Sequence, residues 1–406
     1  MADPQARLPL TRQSVLDAHE LIKPHIHQTP VLTNQTMDAM ASTPQSVEAL
    51  RGTVWEGMVP AKPKLRLWFK CENLQRVGAF KIRGAFCALL RLGEEREERE
   101  GKGKERDGKN EKGGWRERGV VTHSSGNHAQ ALALAARELG IPAHIVMPTI
   151  STPLKIAATK GYGAHVRFSG STSTEREAMV EEVIKETGAI LVPPYDHPDI
   201  IAGQGTMGLE MQGQVRRLLG ERGGEGSEWK EGKEGKEGKG LDAIITPCGG
   251  GGMLSGVALA CEGTGIEVFG AEPSYQDADD CRRGILAGKR IESVKSLTIA
   301  DGLRTPVGKF PWEIIYERGL VKGVWSVGER EIRKAMKLVL ERMKVLVEPS
   351  ACVGLAVVLF DEGWRAMVER EAGERGWDVG VVFSGGNVGV EALGRLFEKE
   401  GEGDRA

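Results

Sequence analysis

Short β-branched runs alternate with helical stretches along most of this chain, and that alternation limits the fold more than any other feature. The runs "GVVTH" (119–123), "AHIVM" (143–147), "AHVRF" (164–168), "AILVP" (189–193), "DAIITP" (242–247), "IEVFGAEP" (266–273) and "DVGVVFS" (378–384) each lead into a helical pattern, such as "NHAQALALAARELG" ending at Gly140. Strand followed by helix, repeated, predicts an α/β protein built on mainly parallel sheets with helices on both faces. In such sheets ligands bind outside the carboxyl ends of the strands, so the strand-to-helix turns are where chemistry is expected. With 406 residues, 40% of them apolar, the chain is long enough for two domains with substantial cores. Lys and Arg (55) nearly balance Asp and Glu (57), so no overall field recruits nucleic acid or an acidic membrane surface, and the expected partners are small molecules. Six scattered cysteines without a CxxC pair fit reduced thiols. The absence of a leader-like N-terminus and of a membrane-length apolar run fits a soluble, cytoplasmic protein. Two segments, 93–118 and 220–240, are rich in Gly, Glu, Lys and Arg and are expected to be mobile insertions.

Three turns at strand ends carry small polar residues. In "PCGGGGMLSG", Gly249, Gly250, Gly251 and Gly252 can turn successive N–H groups toward one point, and a helix starting near Met253 adds its positive end. The reading is a phosphate cradle; the alternative is a flexible linker. Neither a Walker loop nor a spaced GxGxxG is present. In "HSSGNHAQ", Ser124, Ser125, Gly126, Asn127 and His128 suit an anionic carboxylate at a helix start, or serve as an ordinary cap. In "FSGGNVGVEAL", Ser384 ends a strand and is either a ligand contact or a capping hydroxyl. Lys81, within "CENLQRVGAFKIRGA", is either a surface side chain or, if desolvated, an amine activated toward carbonyls.

Together with "IAGQGT" (201–206), "ADGLRT" (300–305), "ERMKVLVEPSA" (341–351) and "SGGNV" (384–388), these stretches resemble the fold type II pyridoxal-phosphate enzymes, and within them the serine racemase and serine/threonine dehydratase group. The resemblance runs over nearly the whole chain outside the two insertions. It implies that Lys81 carries the cofactor as an imine with Phe80 beside the ring. Asn127 would meet the ring's phenolic oxygen, Gly249 to Met253 the phosphate, and Ser384 the pyridine nitrogen, with Glu348 close to the ring. It implies a small hydroxy amino acid as substrate, bound by Ser124 to His128 and faced by Asp301, Gly302 and Thr305, with Arg176 near the cleft. Lys81 would take the Cα proton, and Ser125, alanine in many dedicated dehydratases, would be the acid/base on the opposite face. The expected activity is serine racemisation together with serine or threonine ammonia-lyase elimination, the alternatives being a threonine or 3-hydroxyaspartate dehydratase without racemase activity, or a silent pyridoxal-phosphate-binding protein. A Mg²⁺ or Ca²⁺ site is implied at Glu272, the Ala278 carbonyl and Asp280, in a segment two residues longer than the family's EPxxADD form. A small mobile domain (119–196) is expected to sit between two parts of a large one (1–118 and 197–406), in a homodimer. No appended regulatory domain is expected after Ser384.

Overall fold

The computed structural model describes residues 4–101, 114–124, 126–151, 153–222 and 240–398. Ten strands form two sheets among the described residues. They are β1 (Val31–Leu32), β2 (Leu65–Cys71), β3 (Val120–His123), β4 (Ala143–Pro148), β5 (His165–Ser169), β6 (Ile190–Leu191), β7 (Ala243–Pro247), β8 (Glu267–Pro273), β9 (Gly323–Val327) and β10 (Trp377–Phe383). The larger sheet runs β1-β2-β10-β7-β8-β9 and is parallel except for β1, which pairs antiparallel with β2 at the edge. The smaller sheet, β5-β4-β3-β6, is wholly parallel and draws on residues 120–191 alone. The expected α/β class and its parallel sheets are thus present.

The central strands β7 and β10 are buried along their whole length, as strands covered on both faces must be. Helices Lys81–Gly101, Pro198–Arg222 and Gly252–Cys261 pack on one side, and Pro349–Phe360 on the other. The "IAGQGT" motif makes the first packing possible. A Cβ on Gly203 would lie 2.7 Å from the Gly84 Cα, and one on Gly205 would lie 2.4 Å from the Gly256 carbonyl oxygen. Helix Pro198–Arg222 therefore touches both neighbours backbone to backbone. Beneath it lies a buried ionic cluster: the Arg83 guanidinium meets Glu72 (2.7 and 2.8 Å) and Glu210 (2.7 and 2.9 Å), and Lys70 Nζ donates to Glu210 at 2.7 Å. This cluster ties the helix that begins at Lys81 to β2 and to helix Pro198–Arg222.

The expectation of a loop from residue 93 is corrected. Helix Lys81–Gly101 continues through that stretch, and helix Trp115–Arg118 places Trp115 in the core, 4% exposed. Glu and Arg are good helix formers, and pairs such as Arg91–Glu94 and Arg116–Glu97 suit a solvated helix. Residues 102–113 of the first insertion and 223–239 of the second lie outside the described residues. Among the described residues, no helix is long and apolar enough to cross a membrane.

Candidate active site

The sequence-predicted residues converge because two chain segments meet edge to edge. Phe80 N donates to Ser384 O at 3.1 Å, Gly386 N donates to Gly78 O at 2.9 Å, and Ala79 bridges Gly385. The turn before the Lys81 helix is thereby laid against the carboxyl end of β10. The Lys81 side chain is half-buried and its Nζ donates to Pro194 O at 2.8 Å. Among the described residues nothing anionic faces it to offset desolvation, which pulls the amine down to about 8. At neutral pH a useful fraction is therefore uncharged and nucleophilic. Phe80 lies beside it, with Nζ 5.1 Å from the ring centroid.

Asn127 opens helix Asn127–Glu138, and its amide orientation is fixed by its neighbours. Asn387 Nδ2 donates to Val77 O (2.7 Å) and to Asn127 Oδ1 (2.8 Å), while Asn127 Nδ2 donates to Glu348 Oε1 at 2.8 Å. An amide has two N–H donors, and among the described residues one is left for a ligand oxygen. Glu348 caps helix Pro349–Phe360; burial first, then the nearby Asp301 carboxylate, pushes it up to about 7. Ser384 is buried, and its hydroxyl takes no partner among the described residues.

The tetraglycine turn has the character of an anion site. Among the described residues, the amides of Gly249, Gly250 and Gly251 find no acceptor, and those of Gly252 and Met253 fall in the first helical turn, where helix geometry supplies none. All five residues are buried. Leaving that many buried donors unmet is costly unless an anion joins them. The glycines are enforced sterically: a Cβ on Gly250 would lie 2.3 Å from the Tyr195 ring, and Gly251 adopts a φ of +84°. Gly250→Ala is expected to impose strain of about 1–3 kcal/mol on this loop and to weaken cofactor retention tenfold or more, read by absorbance titration of dialysed protein. Unchanged affinity would place the phosphate elsewhere.

The substrate-side residues are arranged less uniformly. Gly126 N donates to Ser124 Oγ at 3.3 Å, closing the turn before Asn127. Ser125 lies outside the described residues. His128 is buried with Nε2 3.3 Å from Val192 O, and desolvation and the Lys81 charge hold it down to about 3, so it stays neutral. Arg176 stands near enough to His123 and Tyr195 for its charge to act on both. Asp301 pairs with Lys155, Gly302 N donates to Ser350 Oγ at 3.0 Å, and Thr305 is exposed with no polar partner among the described residues.

Glu272 accepts from the amides of Cys281 (3.0 Å) and Arg282 (2.9 Å), and Asp280 Oδ2 accepts from Val307 N at 2.9 Å, leaving a buried Oδ1 without a partner among the described residues. Ala278 is buried beside them in the chain. Desolvation raises both carboxyls, Asp280 to about 6, and each feels the acids around it. Sequence reasoning passed over Pro194, Tyr195, Lys155 and Asn387. The first two follow β6, a fourth strand end, and Asn387 stands in the quoted "SGGNV"; Lys155 gave no signal.

Comparison with known proteins identifies the family. Residues 57–385 match the family described as "Pyridoxal-phosphate dependent enzyme". The chain is 37% identical to a serine racemase of Arabidopsis thaliana over 95% of each chain. It is 35% identical to the L-threo-3-hydroxyaspartate ammonia-lyase of Saccharomyces cerevisiae, over 97% of this chain and 98% of that one. The structure of maize serine racemase superposes with a TM-score of 0.74 at 35% identity, over 98% of this chain and 99% of that one. A cradle of unmet amides, a desolvated lysine and a free asparagine donor fit the phosphate, aldehyde and phenolic oxygen of one cofactor. The chain belongs to the pyridoxal-phosphate-dependent enzymes.

Proposed function

We propose that the protein racemises serine and eliminates the β-hydroxyl of L-serine and L-threonine, releasing a 2-oxo acid and ammonia. The observation that carries this reading is the pairing of the Lys81 turn with Ser384, a hydroxyl at the end of β10. When bound, pyridoxal phosphate draws electron density from the substrate's Cα and so acidifies its proton. The amides of Gly249 to Met253 would hold the phosphate, the second Asn127 N–H would meet the phenolic oxygen, and Ser384 would face the ring nitrogen. Glu348 fixes Asn127 from behind. Lys81, whose uncharged fraction burial increases, accepts the Cα proton. At that position Ser384, a neutral hydroxyl, would not hold a proton on the ring nitrogen as a carboxylate would, which would favour loss of the substrate's β-hydroxyl. The helix-start amides at Ser124 to His128 bind the substrate carboxylate, and Asp301, Gly302 and Thr305 line the other side. Closure of residues 119–196 over the cleft, with Arg176 at its edge, excludes water. Full-length similarity to both a racemase and an ammonia-lyase supports these paired reactions.

Ser125 supplies the acid/base opposite Lys81. Ser125→Ala is therefore expected to lower D-serine formation by about 10²-fold or more while elimination of L-serine persists. Parallel assays of D-serine and pyruvate check this; equal loss of both with cofactor still bound would contradict the assignment. A narrower reading, a 3-hydroxyaspartate dehydratase without racemase activity, is favoured by the cations Lys155 and Arg176 near the cleft. D-serine formation by the wild-type protein excludes it.

A hard divalent cation, Mg²⁺ or Ca²⁺, fits Glu272, the Ala278 carbonyl and Asp280, because two buried carboxyls, one oxygen of them unmet among the described residues, stand at the end of β8 and the start of the helix that follows. Chelation is expected to lower thermal stability and Mg²⁺ to restore it. Indifference to both would remove the cation from the account. The protein is further proposed to act as a cytoplasmic homodimer.

A further inference from the structure

The end of β7 gathers donors of a different chemical kind. Strands β7 and β8 pair with Pro247 opposite Ala271, and Cys248 N donates to Ala271 O at 2.8 Å, which sets Cys248 beside Glu272. Helix Asp280–Ala287 begins over the same spot, since the Cys281 and Arg282 amides donate to the two Glu272 oxygens. Main-chain geometry thus assembles Cys248 Sγ, Cys281 Sγ and a Glu272 oxygen within 4.8 Å of one another, all buried. Asp280, 1% exposed, precedes Cys281 in the chain, and its Oδ1 has no partner among the described residues.

We infer that Cys248, Cys281 and Glu272 form a binding site for a thiophilic divalent cation such as Zn²⁺ or Cd²⁺, with water as fourth ligand. Two thiols and a carboxylate suit such an ion and not Mg²⁺ or Ca²⁺, which prefer oxygen donors. A tetrahedral Zn²⁺ with Zn–S near 2.3 Å holds its sulfurs about 3.8 Å apart, so the cluster need contract by no more than about an ångström. Binding converts two thiols to thiolates and releases their two protons for each cation, with Glu272 coordinating as its carboxylate. The cation must displace the two thiol protons, so binding tightens as pH rises. The site shares Glu272 with the hard-cation site proposed above, so the two ions compete. Cys248 also adjoins the phosphate cradle, its thiol now donating to Gly249 O at 3.5 Å.

The test is titration of chelator-treated holoenzyme with Cd²⁺. The expected result is an ultraviolet thiolate-to-metal band saturating at one cation per chain, with about two protons released in weakly buffered solution. Cys248→Ser and Cys281→Ser should each weaken binding more than about 100-fold, beyond the loss expected of a residue that only supports a metal site. Retention of the cofactor's absorbance checks folding, and proton release by the wild-type protein decides the matter if a variant fails to fold. A missing band, a band that survives in both variants, or binding without proton release would overturn the inference. None of these readouts depends on catalysis or on Mg²⁺ activation.

Discussion

Replacing Lys81 by alanine is expected to abolish turnover, by at least about 10³-fold, and to remove the cofactor's long-wavelength absorbance. One amine has two tasks here: it holds the cofactor and then moves the Cα proton. Its burial serves both, because an ordinary lysine near 10.5 is almost wholly charged at neutral pH, whereas desolvation brings Lys81 to about 8. The direction with pH follows. Below about 8 the folded protein keeps the amine protonated and unreactive, so capture of added pyridoxal phosphate by the cofactor-free protein should accelerate as pH rises toward 8, then level off. Capture that keeps rising toward 10 would indicate a solvated lysine. Arginine at position 81 would keep a charge but could not form the imine, so it should be equally inactive.

Arg83→Met is expected to destabilise the fold by about 3–5 kcal/mol, read as a shift in the denaturant midpoint. The guanidinium is wholly buried between Glu72 and Glu210, and Lys70 completes a cluster with two charges of each sign. Removing Arg83 leaves two buried carboxylates facing a single lysine. The penalty of stranded charge, more than the lost attraction, sets the size of the effect. Arg116→Met breaks the exposed pair with Glu97 and should cost no more than about 1 kcal/mol. The contrast isolates burial as the cause. Because Arg83 sits two residues after Lys81, a lower cofactor occupancy should accompany the loss of stability.

The alternation of strand and helix was legible because β7, β8 and β10 are buried on both faces and so read as apolar runs. Strand β2 hides the same role behind charge: within "LRLWFKC", Lys70 is buried only because Glu210 neutralises it from 140 residues away. A window along the chain cannot see that partner. The acidic and basic stretch after Gly93 misled for the converse reason, since composition that cannot form a core can still extend a helix already anchored by Leu89 and Leu92. At the site, the glycines, Asn127 and Ser384 could be found from their places at strand ends. Tyr195 over Gly250, Asn387 on Asn127 and Lys155 on Asp301 depend on how distant segments meet. Tertiary contact alone decides those.

The most direct test is borohydride reduction of the cofactor-loaded protein followed by peptide mapping. A single pyridoxyl group on Lys81, with its amine otherwise unmodified, is the result required by the geometry of the Phe80–Ser384 contact and the glycine cradle. A modified lysine elsewhere, or none, would contradict it.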